Sequence, residues 1–354
     1  MRSVKWPLCW SAFVLLPVLV PHPLSQAQAH PAIERHVSEF RGFTMGGAYS
    51  VKVVTAEDEL ETPALHDVDR ALHSSLNRIE GLMSTWDRGS EVSQFNRSTN
   101  LEPFTLSPET FEVFKWSIDV GRLTGGALDV TIGPLVDAWG FGPPGPQKSL
   151  PTGAEIARLR KATGLDKLEL DPAARTVRKT RPDVRCDLSS IVPGYAADRL
   201  WTELAGRGFT DFLIDVGGEV RTRGRNTAGE PWQIAIDRPQ AQSDAVERIV
   251  SISNLAITTA GDYRKYREVE GQRVAHILDP RTGRPLTHRL ASVTVIDELA
   301  VRADAFDTAL MVLGTDEGLA LATKLNLAAL FIERTGAGFS ERATPRFEEI
   351  AGRK

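Results

Sequence analysis

In "RADAFDTALMVLG", residues 302–314, two carboxylates and a hydroxyl fall at Asp304, Asp307 and Thr308. On a helix, positions i, i+3 and i+4 share a face, so the three oxygens converge. Such a set suits a hard cation like Mg2+, which takes oxygen ligands. The same acids would also serve as caps at the positive end of a helix dipole. The apolar "ALMVLG" that follows at once sets the acidic face against the core and raises the metal reading.

Other stretches add groups of similar type. "CDLSSIVPGYAADRL" (186–200) offers Asp187, Ser190 and a glycine turn ahead of a helix. Helix-start N–H groups suit phosphate oxygens, and Asp187 or Ser190 could equally cap that helix. "DVGGEVRTRG" (215–224) places paired glycines after an apolar strand, either for close approach to a ligand or for a tight hairpin. His276, just before the "DPRTG" turn, is either a general base or a structural histidine. Trp86, in the polar loop "MSTWDRGSEVSQFN", could stack on a planar ring or plug the core surface. No P-loop, no GxGxxG after a strand, no HExxH and no GxSxG is present, which weighs against nucleotide-binding folds of those kinds and serine hydrolases.

The elements that must position these groups read as a mixture. "YSVKVV" (49–54) alternates like a strand, and apolar residues at 65, 68, 72, 76, 79 and 83 mark an amphipathic helix over 64–83. Ser107-Pro108 starts a helix that Gly125-Gly126 closes; Thr152 and Glu155 have capping-box spacing, with Gly164 closing that helix. Strands are predicted over 210–218, 290–296 and 327–333, helices over 303–313 and 316–325, and a loose lead-in over 30–42. Helices and strands mix without strict alternation, which predicts an α+β fold. The Pro- and Gly-rich loop 139–149 does not read as a domain boundary, and the glycine clusters on both sides of it read as parts of one site.

Bulk composition narrows the class. The chain has 354 residues, 42% hydrophobic and 25% charged, as in a globular protein able to bury a core without staples. Residues 1–29 carry Arg2 and Lys5, a short apolar run and "AQA" at 27–29, the pattern of a secretory signal peptide. Its removal takes two cations and no acid, shifting the formal charge from −4 to −6. A mildly acidic chain has no electrostatic footprint for nucleic acid. Cys186 alone would remain, so no internal disulfide is expected.

Ten stretches in one order carry a resemblance: "TMGGAYSVKV", "STWDRGSEVSQFN", "GALDVTIGPLVDAWGFG", "DLSSIVPGYAADRL", "LIDVGGEVRTRG", "WQIAIDRP", "TAGDYRKY", "HILDPRTGRPL", "ASVTVI" and "ADAFDTALMVLG". From about residue 40 to about 335 the chain resembles the ApbE family of FAD:protein FMN transferases. The resemblance implies one α+β domain unit over 30–354, with mixed sheets and flanking helices. It implies Mg2+-dependent transfer of FMN from FAD to a threonine hydroxyl of a target flavoprotein, releasing AMP. On the matching positions, Asp304, Asp307, Thr308 and Ser190 would hold the metal. Many relatives have Ala where Asp307 stands, so Asp304 and Thr308 are the firmer pair. Met45, Trp86, Ala127, Leu128, Asp129, Asp187, Pro193 and Leu278 would contact FAD, and His276 would be the base toward the acceptor. Relatives usually carry Lys or Glu where this chain has Pro193, which implies an altered nucleotide contact. The acceptor threonine would lie in an Asp/Ser-Gly-Ala/Ser-Thr segment of an exported or membrane redox subunit. The location implied is periplasmic or on the outer face of the inner membrane. An FAD pyrophosphatase giving FMN and AMP, or a periplasmic flavin-binding protein, are the competing readings.

Overall fold

Eight strands pair side by side in chain order, every neighbour antiparallel. They are β1 (Arg35–Thr44), β2 (Gly47–Ala56), β3 (Phe212–Val216), β4 (Glu219–Arg223), β5 (Ala256–Gly261), β6 (Leu290–Asp297), β7 (Ala328–Thr335) and β8 (Gly338–Ala343). This is a computed structural model that describes residues 35–56, 63–147, 149–240, 245–263, 266–269 and 271–352. The signal segment expected over 1–29 lies outside the described residues. Among the described residues no helix is long and apolar enough to cross a membrane. From Arg35 onward the chain forms one unit.

Helices cover one face of the sheet. They are α1 (Pro63–Met83), α2 (Pro108–Leu123), α3 (Val192–Gly206) and α4 (Ala300–Leu313). Leu72, Leu76 and Ile79 of α1 and Phe306 and Leu310 of α4 bury against Val51, Ile214 and Val293 in the main core. The opposite face is covered in its far half by the hairpin Trp232–Asp237/Val246–Ile252 and the helix Pro345–Ala351. That double cover explains why β6 and β7 read as nearly unbroken apolar runs. The predicted α+β class is what the chain adopts.

Local punctuation follows the expected chemistry. Ser107 Oγ accepts from the Thr110 N–H, and Thr152 Oγ1 from the Glu155 N–H. The Gly126 N–H closes α2 on the Gly121 carbonyl at 2.8 Å. The Gly217-Gly218 pair turns β3 into β4 with φ of 72° and 112°, conformations that favour glycine. Two expectations need correction. The stretch read as a loose lead-in over 30–42 holds β1 from Arg35 onward. Its Glu39, Arg41 and Phe43 alternate outward because β1 is an edge strand with one face open. The last helix before Gly314 starts at Ala300, a turn earlier than residue 303, because its cap is supplied from elsewhere in the chain.

Candidate active site

That cap comes from α3. Asp198 accepts from the Ala300 N–H at 2.9 Å and the Val301 N–H at 3.0 Å, and pairs with Arg221 of β4. The favour is returned: α3 has no side-chain cap of its own, and its Gly194 N–H donates to Asp304 Oδ2 at 2.8 Å. Two helix starts are thus capped by carboxylates from each other's helix. Contact this close requires a glycine. A Cβ on Gly194 would lie 2.5 Å from the Ala300 carbonyl oxygen and 2.7 Å from Asp304 Cβ.

Asp304 and Asp307 therefore sit one and two turns into α4, both buried, rather than capping its start. A third carboxylate joins them. Glu219, first residue of β4 after the Gly217-Gly218 turn, brings a carboxylate oxygen within 4.8 Å of one on each aspartate. Burial, only partly offset by the Gly194 N–H, pushes Asp304 up to about 8, with Asp198 adding to the rise. Burial, then the Asp304 charge, raises Asp307 well above the usual carboxylate range. Burial, then the Asp304 and Asp307 charges, does the same to Glu219. Asp307 Oδ1 and Glu219 Oε2 are buried with no hydrogen-bond partner. Three such carboxylates resist ionising together unless a cation joins them. Buried oxygen donors aimed at one another, two left unpartnered, fit a hard divalent cation. Sequence reasoning missed Glu219; its "GGE" position was visible, but only strand pairing brings it to α4.

The cluster lies in the wall of a cavity of about 820 Å3. Thr308 and Ser190, both half-buried, line the same cavity, as do Met45, Ala127, Leu128, Asp129, Asp187, Pro193, His276 and Leu278. Twelve of the thirteen residues singled out from the sequence are thus brought together. Trp86 is the exception: it is 64% exposed in the loop after α1 and is not among the lining residues.

Each lining segment is held by specific contacts. Asp187 accepts from the Ser189 N–H at 2.9 Å, while its own N–H donates to the Val130 carbonyl at 2.7 Å. That bond ties the Asp187 turn to the Ala127–Asp129 segment. Asp129 accepts from the Thr131 N–H and hydroxyl at 2.9 and 2.6 Å, and burial raises its carboxyl despite those bonds. Met45 and Gly46 form the two-residue turn between β1 and β2, with φ of 51° and 74°. Positive φ at both positions is what a type I′ hairpin needs, and it is unusual for methionine.

His276 stands on a small lobe with its own apolar cluster of Leu135, Trp139, Ile156, Val269, Val274 and Leu278. Trp139 and Phe141, at the start of the Pro- and Gly-rich loop between the glycine clusters, pack in this lobe. Trp139 Nε1 donates to the Gly283 carbonyl at 2.9 Å, and Arg267 Nη1 to the Trp139 carbonyl at 2.8 Å. Gly140 takes a φ of 78°, which favours glycine, and a Cβ there would lie 3.0 Å from the Gln147 backbone nitrogen and displace the Arg267 guanidinium. The His276 and Phe141 rings meet edge to face, with centroids 6.4 Å apart and planes at 69°.

The family model for ApbE matches residues 45–331. A relative from Vibrio cholerae, described as FAD:protein FMN transferase, is 39% identical over 90% of this chain and 93% of its own. One of the same description from Salmonella typhimurium is 38% identical over 87% of each chain. Among solved structures, the flavin transferase ApbE from Vibrio cholerae superposes with a TM-score of 0.82 at 36% identity. It covers 89% of this chain and 99% of that one. The flavinyl transferase ApbE of Pseudomonas stutzeri, apo form, gives 0.82 at 35% identity over 90% and 98% of the two chains. With buried carboxylates, glycine turns and a cavity-lining histidine in the matched segments, this chain belongs to the ApbE family.

Proposed function

We propose that the chain is an FAD:protein FMN transferase that uses Mg2+ and delivers FMN to a threonine hydroxyl on a target flavoprotein. The observation that carries this is the carboxylate trio Asp304, Asp307 and Glu219, with two orphaned oxygens, in the wall of a cavity large enough for a dinucleotide. Thr308 and Ser190, lining the same cavity, would complete an all-oxygen donor set for the cation. A bound divalent cation would neutralise the pyrophosphate and polarise the phosphorus under attack.

The chain's own residues do the rest. Met45, Ala127, Leu128, Asp129, Asp187, Pro193 and Leu278 shape the walls around FAD. Burial of Ala127 and Leu128 keeps that wall dry and rigid. His276 takes the proton from the acceptor threonine as its oxygen bonds to the FMN phosphorus. The bond to the AMP oxygen breaks, and AMP leaves carrying the electron pair. Phe141, in edge-to-face contact with the imidazole, holds the ring for that transfer.

The acceptor segment is of the Asp/Ser-Gly-Ala/Ser-Thr type on an exported or membrane redox subunit, and the signal segment over 1–29 sends this chain to the same compartment. Asp304→Ala tests the proposal: flavin transfer should vanish while circular dichroism stays that of a folded protein. Full transfer by a folded Asp304→Ala variant would refute it. Metal-dependent FMN and AMP with no flavinylated acceptor would make the chain a pyrophosphatase instead.

A further inference from the structure

Among the described residues, the face of the sheet away from the helices is covered in its far half, and its β1–β2 end is open around Phe43, although Val54 further along β2 is buried. Gly42 pairs with Tyr49, and Tyr49, Val51 and Val53 lie in the main core, so odd-numbered residues of β1 point to the bare face. These are Val37, Glu39, Arg41 and Phe43, all exposed. Phe43 is 88% exposed, the most of any large apolar side chain among the described residues. Its direct partner across the strand pair is Ala48, which lines the cavity. Two residues along β2, on the same face as Ala48, Ser50 pairs with Asp215, and Asp215 with Val220; Asp215 and Val220 line the cavity. The bare face therefore runs without a break from Phe43 into the cavity wall. Thr44, Met45 and Gly46, directly after Phe43, form the cavity's rim at the strained hairpin turn.

We infer that the face of β1 around Phe43 is where the acceptor flavoprotein docks, with the Phe43 ring buried against it. This rests on the transferase reading. Transfer to a folded protein requires a hydroxyl on that protein to enter the cavity, so its surface must cover the mouth. Water competes for the same phosphorus, so the cover must also be tight enough to exclude it. An exposed aromatic ring on a rigid strand, placed at the rim and flanked by Glu39 and Arg41, has the make-up of an interface anchor within a polar surround. A nucleotide-binding role would instead need the ring inside the cavity, and Phe43 is not among the lining residues.

The test compares wild type with Phe43→Ser, using a purified flavoprotein domain bearing the acceptor threonine, FAD and Mg2+. KM for the acceptor domain should rise about ten-fold or more, as loss of one buried aromatic anchor does. FAD affinity, read by quenching of flavin fluorescence, should stay within about two-fold, roughly the scatter of such titrations. Phe43→Leu should fall between the two. An unchanged acceptor KM in Phe43→Ser would overturn the docking face and leave the transferase reading intact. A parallel loss of FAD affinity would overturn it too, by assigning Phe43 to the nucleotide. Failure of the wild-type chain to flavinylate any acceptor domain would overturn the transferase reading and the docking face together.

Discussion

Replacing Gly194 with alanine sets two physical effects against each other. Gly194 lies in the first turn of α3, where alanine should stabilise a helix by roughly 1 kcal/mol. The structure predicts the opposite sign. The new Cβ would lie 2.5 Å from the Ala300 carbonyl and 2.7 Å from Asp304 Cβ, and both neighbours belong to the rigid α4. Relief means driving the two helices apart, an overpacking cost of about 1–3 kcal/mol. Separation also stretches the 2.8 Å bond from the Gly194 N–H to Asp304, worth about 0.5–1.5 kcal/mol while burial keeps that carboxyl largely protonated. Net of the propensity gain, Gly194→Ala should destabilise the protein by about 1–3 kcal/mol, or several degrees in Tm. The assay is thermal denaturation followed by circular dichroism, with and without Mg2+. Because Asp304 moves, the rise in Tm on adding Mg2+ should shrink as well. A variant as stable as wild type, with an undiminished response to Mg2+, would refute the reciprocal cap and the close approach that builds the site.

Asp307→Asn should raise the Tm of the metal-free protein by relieving repulsion among three buried acids, on the order of 1–3 kcal/mol, while abolishing the Tm rise with Mg2+. Differential scanning calorimetry checks both, and a lowered metal-free Tm would count against the repulsion. Met45→Gly should stabilise the hairpin by about 1 kcal/mol, since glycine takes the positive φ freely, yet weaken FAD binding in a fluorescence titration. Lys179 is buried beside Phe95, donating to the Asn96 and Ser98 carbonyls, and burial pushes its ammonium down to about 8. Between that value and the unfolded value of about 10.4, the unfolded chain binds more protons, so stability should rise with pH by on the order of 3 kcal/mol. Urea melts across that window should show the slope in wild type and lose it in Lys179→Met.

Features set by local chemistry were legible in the sequence. The apolar runs of β6 and β7, the 3.6-period stripe of α1 and the caps at Ser107 and Thr152 all depend on near neighbours. What escaped depends on contacts across the chain. The start of α4 is capped by Asp198, about a hundred residues earlier, so no local signal marks Ala300. Glu219 reaches the aspartates only because β4 pairs with β5, against which α4 packs. The edge strand β1 alternates charged and apolar residues on an open face, which looks like a surface loop until its partner is known. Most of the cavity-lining set came from ordered motifs shared with a family; Trp86 matched the motif, but its side chain points into solvent here.

The most direct measurement is intact-protein mass spectrometry of an acceptor domain carrying the threonine segment, after incubation with the chain, FAD and Mg2+. The account predicts a gain equal to one FMN on that threonine, with AMP in solution, both lost on adding EDTA. An acceptor of unchanged mass alongside metal-dependent FMN and AMP, or a gain in mass that survives EDTA, would contradict it.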